Sequence, residues 1–276
     1  MTLDILPYEY FIQKSMELNR NEYKLPEYSQ KKFLSVKRKL NIRNEVSKEE
    51  MIKPTTIGKK EEVIATLFKY FNKITDKTYD KLSKDIFDLV SLHISEAEKI
   101  CNTFFNVILN NSFFCNLYAR LYKTFIEIED EFACVLEKQI LTYVKSIPNI
   151  IYISPNEDYD EYCNYVKKVE GVKNFTTFLI QCFKQDIIKV ETLLELAMTF
   201  QNCCLVNIDN EDKLVLNDIY ISNIDIIVSH VYDNFVNEKW NSFIENINIL
   251  EKSQGGGKNK KMHFKILDIT DKINKK

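Results

Sequence analysis

Residues that form turns are scarce in this chain, which has only five glycines and five prolines among 276 residues. A sheet with many strands needs frequent turns, so this composition disfavours one. Long segments instead place apolar residues at positions i, i+3, i+4 and i+7, the spacing of one face of an α-helix. The sequence therefore predicts an all-α fold.

Helix start signals divide the chain from Lys59 onward into short helices. Thr75, with Thr78 three residues later, is typical of an N-cap, Ser95 and Glu98 form a capping box, and Ser112 is a third cap. The predicted helices cover residues 61–71, 76–90, 95–110, 112–125, 131–145, 172–185, 190–203, 219–236 and 239–252, with a compact amphipathic helix after the glycine-rich loop 255–257. Helices this short bury their apolar faces by stacking in antiparallel pairs, and a repeat of about 35 to 45 residues fits an α-solenoid of the HEAT type.

The chain is predicted to have two parts. Residues 1–56 contain Pro7, Pro26 and Pro54 and several basic pairs, which indicates an N-terminal arm with short helices. Residues 57–276 form the helical-repeat domain. Within it, the acidic segment 154–161 is predicted to be a long loop between repeats, and residues 207–217 an insertion with a short hairpin around Asp209 and Asn210.

Composition places the chain among intracellular, cytoplasmic proteins. The seven cysteines are an odd number, and most lie among apolar neighbours, as buried thiols in a reducing compartment do. The most apolar stretch, Ile219 to Val236, is interrupted by polar residues, so no contact with a membrane is expected. The net charge of −2 argues against a protein that coats nucleic acid, and any RNA contact must come from local basic patches.

Motifs for catalysis and for cofactors are absent from the sequence. No glycine-rich phosphate loop, nucleophile elbow or metalloprotease motif occurs, and the histidines are not spaced as metal ligands. We therefore expect neither an enzyme nor a cofactor. Two basic tracts are candidates for RNA contact, although a solvated loop is the alternative for each. Their residues are Lys59, Lys60, Lys258, Lys260 and Lys261.

Four segments carry a family resemblance. Residues 71–82, FNKITDKTYDKL, are similar to the signature Leu-Asn-Lys-Leu-Thr-Pro-x-x-Phe-x-x-Leu of the middle domain of eukaryotic translation initiation factor 4 gamma. Residues 112–121 resemble that family's second repeat, in which a Phe precedes Tyr-Ala, and residues 171–184 resemble its Gly-Asn-Ile-Arg-Phe helix. Residues 261–271 resemble its closing Arg-Ile-Arg-Phe-Met-Leu segment. The matches follow the family's order over about residues 59–276.

The resemblance implies a crescent of five HEAT-type helix pairs that binds a DEAD-box RNA helicase, similar to initiation factor 4A, and contacts RNA weakly. In that family the apolar positions of the first signature help dock the helicase; here they are Phe71, Ile74 and Tyr79. We expect these side chains to face outward, with capping of the first helix pair as the alternative. The matching positions in the first and third segments make up the predicted helicase site: Phe71, Asn72, Ile74, Thr75, Tyr79, Lys173 and Asn174.

Several positions depart from the family pattern. Asp76 replaces the proline of the first signature, Lys173 is the nearest cation in the third segment, and His263 replaces the arginine of the last. These changes weaken the expected positive charge. The family's Tyr-x-x-x-x-Leu motif for a cap-binding subunit is absent, so such a partner would need an atypical segment in residues 1–56. The chain resembles a divergent scaffold, viral or from an AT-rich unicellular organism.

The sequence is also compatible with a second function. The same fold serves as an adaptor in splicing, nonsense-mediated decay, deadenylation or nuclear cap binding, where it binds a different DEAD-box helicase. The sequence does not separate these pathways from translation initiation.

Overall fold

A computed structural model describes residues 59–208, 210, 213–231, 233, 238–254 and 260–274. They all belong to one compact unit, residues 57–276. The predicted arm, residues 1–56, and its cap-binding role lie outside the described residues.

The described residues form ten α-helices and no strand, which confirms the all-α prediction. Short 3-10 turns lie at Ile94–Glu96 and Ile147–Asn149. The helices are α1 (Lys59–Phe71), α2 (Tyr79–Leu92), α3 (Ala97–Asn110), α4 (Cys115–Ile128), α5 (Glu131–Ser146), α6 (Tyr159–Lys184), α7 (Val190–Val206), α8 (Leu214–Val231), α9 (Glu238–Gln254) and α10 (Lys260–Asn274).

The helices pack as stacked pairs. The even-numbered helices form a continuous row in which α2 contacts α4, α4 contacts α6, α6 contacts α8, and α8 contacts α10. In the odd-numbered set, α1 contacts α3, α3 contacts α5, and α7 contacts α9. Contact between each helix and the helix two places further along is the pattern of an α-solenoid. Ten helices in this arrangement agree with the predicted five pairs.

The helix starts were predicted with mixed success. The Thr75 N–H donates to Thr78 Oγ1 at 2.9 Å, so the two threonines of the predicted cap are in contact. The helix α2 nevertheless begins at Tyr79, with Thr78 as its N-cap and no side-chain capping hydrogen bond, so the predicted start at residue 76 is three residues early. The caps predicted at Ser95 and Ser112 are wrong. Helix α3 begins at Ala97 after a 3-10 turn, α4 begins at Cys115, and neither start has a side-chain capping hydrogen bond.

Helix α6 is the largest departure from the prediction. It spans 26 residues from Tyr159, whereas the sequence predicted a loop to residue 161 and a helix from residue 172. The Asp158 side chain caps it by accepting hydrogen bonds from the N–H groups of Asp160 and Glu161. Carboxylates in a first turn favour a helix start, because the N-terminus carries partial positive charge. The acidic segment is therefore partly the start of a helix.

Helix α8 also differs from its prediction, since it begins at Leu214 and ends at Val231. Part of the hairpin predicted around Asp209 and Asn210 lies outside the described residues, and no strand occurs in the part that is described. By length and composition α8 is apolar enough to cross a membrane, but half of its residues are buried within this fold. It packs against α7 and α10, and a helix in a protein core can have the same length and apolar composition.

Aromatic rings fill the core of the first half of the solenoid. Phe104, on α3, lies at its centre, and its ring contacts residues from α1, α4 and α6. The centroid distances are 5.0 Å to Phe71, 5.7 Å to Tyr118, 5.5 Å to Tyr122, 5.6 Å to Phe125 and 6.2 Å to Phe178. All of these pairs except Phe104–Tyr122 are edge-to-face, and such pairs add about 0.5–1.5 kcal/mol each beyond the burial of apolar area. The cluster fixes how the first helix pairs stack.

Candidate functional site

The two apolar residues predicted to dock a helicase lie in the core. Phe71 is 0% exposed, its ring packs edge-on against Phe104, and Ile74 is also buried. The prediction that they face outward is wrong. Helix α1 stacks on α3, so the last turn of α1 lies over the Phe104 ring and its apolar side chain points inward. Phe71 and Ile74 pack under the α1–α2 turn and cap the first helix pair, which was the alternative given in the sequence analysis.

Tyr79 is buried as well, and Arg120 covers it. The Arg120 guanidinium carbon lies 4.7 Å from the centroid of the Tyr79 ring, which is cation–π geometry. Burial raises the pKa of the Tyr79 hydroxyl, and the Arg120 charge opposes this rise. Tyr79 therefore does not act as an outward anchor, but it positions an exposed arginine from α4 beside the start of α2.

Polar bonds order the α1–α2 turn, residues 72–78. The Asn72 side-chain amide donates to the Phe68 carbonyl at 2.8 Å, and Thr78 Oγ1 donates to the Lys73 carbonyl at 2.6 Å. Thr75 is half-buried and bonds to Thr78 within the turn, so it has a structural role. The side chains that the turn presents to solvent belong to Asn72, Lys73, Asp76 and Lys77.

The α3–α4 turn lies next to the α1–α2 turn. The Tyr118 hydroxyl, in the first turns of α4, donates to the carbonyl of Phe71 at the end of α1, at 3.3 Å. The α3–α4 turn presents Phe113, which is 81% exposed, and the ring of Phe114 supports it in an edge-to-face contact at 4.8 Å. A phenylalanine this exposed is an unusual surface feature.

The third predicted segment meets this edge through Asn174. Its side-chain amide donates to the Leu109 carbonyl in the last turn of α3, at 2.9 Å. Asn174 is therefore engaged as a helix cap and is half-buried, which gives it a structural role. The helicase contact expected of it stays a prediction. Its neighbour Lys173 is exposed, as a contact residue requires.

These contacts define one surface, which we call the turn edge. It includes these exposed side chains of the two turns, α4 and α6: Asn72, Lys73, Phe113, Arg120 and Lys173. The α1–α2 turn also exposes Asp76 and Lys77. The hydrogen bonds from Tyr118 to Phe71 and from Asn174 to Leu109 tie its parts together. An exposed aromatic ring with three cations suits a protein surface that offers an apolar pocket and carboxylates.

Sequence reasoning missed Lys73, Phe113 and Arg120. Phe113 is adjacent to Phe114, and the sequence does not distinguish which ring is exposed, because aromatic residues in helical segments usually pack in the core. The usable signal was Asn111, whose side chain accepts the Phe113 N–H at 3.0 Å and marks a turn between helices. The residues around Arg120 in the sequence do not indicate its role, because its contact with the Tyr79 ring depends on the packing of α2 against α4.

The residues predicted to contact RNA are divided between the first and last helices. The side chains of Lys59 and Lys60, and all of Lys258, lie outside what the structure describes. Lys260 is exposed, while Lys261 forms an ion pair with Asp218 on α8 at 2.7 Å. Lys265 pairs with the same carboxylate at 2.7 Å, so Asp218 already offsets part of the positive charge expected at Lys261.

Within the described residues, no group of three or more His, Cys, Asp or Glu side chains is arranged to hold a metal ion. The comparison with models of protein families finds no family that matches this chain. A search of curated proteins likewise returns no match.

Proposed function

We propose that this chain is a scaffold that binds a DEAD-box RNA helicase similar to initiation factor 4A through the turn edge, with no chemistry of its own. The observation that supports the proposal best is the alignment of two helix-pair turns and α6 along one edge. The four sequence segments that resemble the middle domain of initiation factor 4 gamma supply the identity of the partner, and two of them contribute turns to this edge.

The contacts are assigned differently from the sequence prediction. Phe71 and Ile74 act from beneath by fixing the shape of the α1–α2 turn. Phe113 is the apolar anchor, since large aromatic side chains that become buried on binding contribute most to affinity. Arg120 and Lys173 pair with carboxylates of the partner, and the cation–π contact with Tyr79 limits the conformations that Arg120 must lose on binding.

The scaffold acts on the helicase by shifting its conformational equilibrium. A DEAD-box helicase has two RecA-like lobes, and it turns over when they close. A partner raises the closed population only to the extent that it binds the closed form more tightly than the open one. A tenfold difference in affinity corresponds to about 1.4 kcal/mol. A rigid solenoid with ordered turns is suited to hold two lobes at a set separation.

Direct contact between this chain and RNA is expected to be weak. The net charge is −2, and Asp218 holds Lys261 in an ion pair. Lys260 stays available on α10, and the contributions of Lys59, Lys60 and Lys258 remain predictions. We expect modest RNA affinity that falls steeply with salt, because each phosphate contact releases a counterion.

Calorimetry with purified initiation factor 4A tests the docking assignment. The double variant Phe113→Ala, Lys173→Glu should lower affinity at least tenfold and reduce stimulation of the helicase's RNA-dependent ATPase in parallel. The matched control is Leu92→Ala, which removes another exposed apolar side chain, 78% exposed at the end of α2. Equal affinity of the wild type and the double variant would refute the turn edge as the docking site.

A pull-down from native lysate, with and without RNase, tests the identity of the partner. Recovery of initiation factor 4A supports translation initiation. Recovery of a different DEAD-box helicase together with a nuclear pool of the chain would favour the adaptor role in RNA processing or decay. Failure to bind any DEAD-box helicase would overturn the proposal.

A further inference from the structure

A cavity of about 670 Å³ opens on the second half of the solenoid, away from the turn edge. It lies between the segment 148–152 and the helices α7 and α8. Its volume lies within the roughly 300–1,000 Å³ that is typical of ligand pockets. Much of its wall is apolar, contributed by Ile150, Ile151, Tyr152, Val206, Leu216 and Tyr220.

The rim of this cavity exposes apolar side chains that the fold leaves uncovered. Val206 is 83% exposed and Ile151 is 74% exposed, and Tyr152 beside them is also exposed. Single exposed apolar residues are ordinary, but three around one concave site form a patch. Such patches, when polar residues surround them, mark sites of interaction.

A row of tyrosines leads from the cavity to the start of α6. The Tyr152 ring packs against Tyr165 at 5.5 Å, Tyr165 lies 6.2 Å from Tyr162, and Tyr162 lies 6.5 Å from Tyr159. The Tyr165 hydroxyl is buried and has no hydrogen-bond partner among the described residues. A buried hydroxyl without a partner costs about 1–3 kcal/mol.

Carboxylates surround the far end of the tyrosine row. Glu157, Asp160 and Glu161 are exposed where α6 begins. By contrast, one charged residue, Lys213, lines the described part of the cavity wall. The tyrosine row therefore leads from a largely apolar cavity to a negative surface at the start of α6. Arginine and lysine are attracted both to carboxylates and to the faces of tyrosine rings, whereas RNA phosphates are repelled by the carboxylates.

We propose that this surface docks a protein segment with a large apolar side chain flanked by arginine or lysine. The apolar side chain enters the cavity between Ile151 and Val206, and the flanking cations lie along the tyrosine row toward Glu157 and Asp160. The charge of the surface selects a basic peptide over an acidic one. This inference does not depend on helicase binding, because it uses a different surface and different residues.

Selection from a displayed library of random 12-residue peptides, on the full chain, tests the proposal. The double variant Ile151→Ser, Val206→Ser serves as the counter-target, and both positions are exposed, so the fold should tolerate the changes. Peptides enriched on the wild type should carry a large apolar residue beside Lys or Arg. Fluorescence anisotropy of those peptides should show at least tenfold weaker binding to the double variant.

Two further variants separate the contributions. Glu157→Gln combined with Asp160→Asn, which removes both charges without placing cations at the start of α6, should weaken binding of the same peptides and reduce its salt dependence. Leu92→Ser, an exposed apolar site outside the cavity, should leave their affinity unchanged. The inference is overturned if no peptide distinguishes the wild type from the cavity variant, or if the peptides that do so are acidic or lack an apolar anchor.

Discussion

The side-chain amide of Asn174, in the middle of α6, donates a hydrogen bond to the carbonyl oxygen of Leu109 in the last turn of α3, at 2.9 Å. The last four carbonyls of a helix have no partner within the helix, so this bond satisfies one of them. The two residues are 65 positions apart in sequence. The bond joins α6 to the turn that carries Phe113, and it makes the turn edge a single ordered surface.

Replacing Asn174 should therefore lower stability and loosen the α3–α4 turn. We expect Asn174→Ala to cost about 1 kcal/mol, as the loss of one partly buried hydrogen bond does. Asn174→Asp should cost more, because a carboxylate cannot donate and would face the Leu109 carbonyl. Urea unfolding measures both, with Asn164→Ala, at an exposed position on the same helix, as control. Equal stability of all three variants would show that the cap contributes nothing.

Gly171 lies where α6 crosses the end of α3, and the crossing leaves room for a methyl group. A Cβ built at Gly171 would lie 3.5 Å from Leu109 Cδ2 and 3.7 Å from the Leu109 carbonyl oxygen, which is ordinary van der Waals contact. Glycine in a helix interior is less stable than alanine by about 0.5–1 kcal/mol. We expect Gly171→Ala to raise the thermal midpoint and Gly171→Leu to lower it. If Gly171→Ala were less stable than the wild type, α6 and the end of α3 would have to approach each other more closely than a methyl group allows.

Helix existence and pairing were predictable here because the apolar periodicity is strong and the turn formers are few. The bounds of α5 and α7 come within a few residues of the prediction. Helix α6 was cut short in the prediction, which placed a loop at residues 154–161 and began the helix at residue 172. The residues Asp158, Asp160 and Glu161 nevertheless carry an N-cap signal, so the information was present in the sequence and was misread.

The orientation of Phe71 was not predictable in the same way. A residue at a helix end faces solvent or core according to which helix stacks over it, and for Phe71 that helix is α3, through Phe104. The same limit applies to Arg120, which meets Tyr79 only because α2 and α4 pack together. The spacing of apolar residues predicts which face of a helix is buried. Which other helix packs against that face is set by tertiary structure.

The buried and exposed phenylalanines should therefore separate stability from binding. Phe71→Ala should destabilise the chain by about 3–5 kcal/mol, as large-to-small changes in a packed core do. Phe113→Ala should change stability by about 0.5 kcal/mol or less, since its side chain is mostly exposed. Chemical denaturation compares the two directly. If Phe113→Ala proved as destabilising as Phe71→Ala, Phe113 would be a structural residue and a poor candidate for an anchor.

Thiol reactivity should follow burial. Cys134 is exposed, Cys163 and Cys203 are intermediate, and the other four cysteines are buried. Burial raises the pKa of Cys101 and of Cys115 to about 12, which keeps both as unreactive thiols at neutral pH. We expect Cys134 to be alkylated first and the buried cysteines only after unfolding. Mass spectrometry after timed labelling with iodoacetamide gives the order, and early labelling of Cys101 would contradict this packing.

The ion pairs between α8 and α10 should make stability depend on pH. Partial burial raises the pKa of the Asp218 carboxyl, but the hydrogen bonds and charges of Lys261 and Lys265 outweigh this, so its pKa lies below the ordinary value of 3.8. A carboxyl whose pKa is lowered by folding stabilises the protein above its unfolded pKa, and this contribution is lost as the pH falls through the folded pKa. Asp218→Asn should therefore cost about 1 kcal/mol at pH 7.

The cost of Asp218→Asn should shrink as the pH falls below the ordinary carboxyl pKa of 3.8, and it should vanish once the pH is below the lowered folded pKa, where the wild-type carboxyl is also neutral. Added salt should reduce it at pH 7, because Lys261 is largely exposed. Asp268→Asn, at an exposed position on α10, should give a smaller and flatter difference. If the cost of Asp218→Asn did not change as the pH was lowered below 3.8, it would arise from side-chain geometry and not from the charge of Asp218.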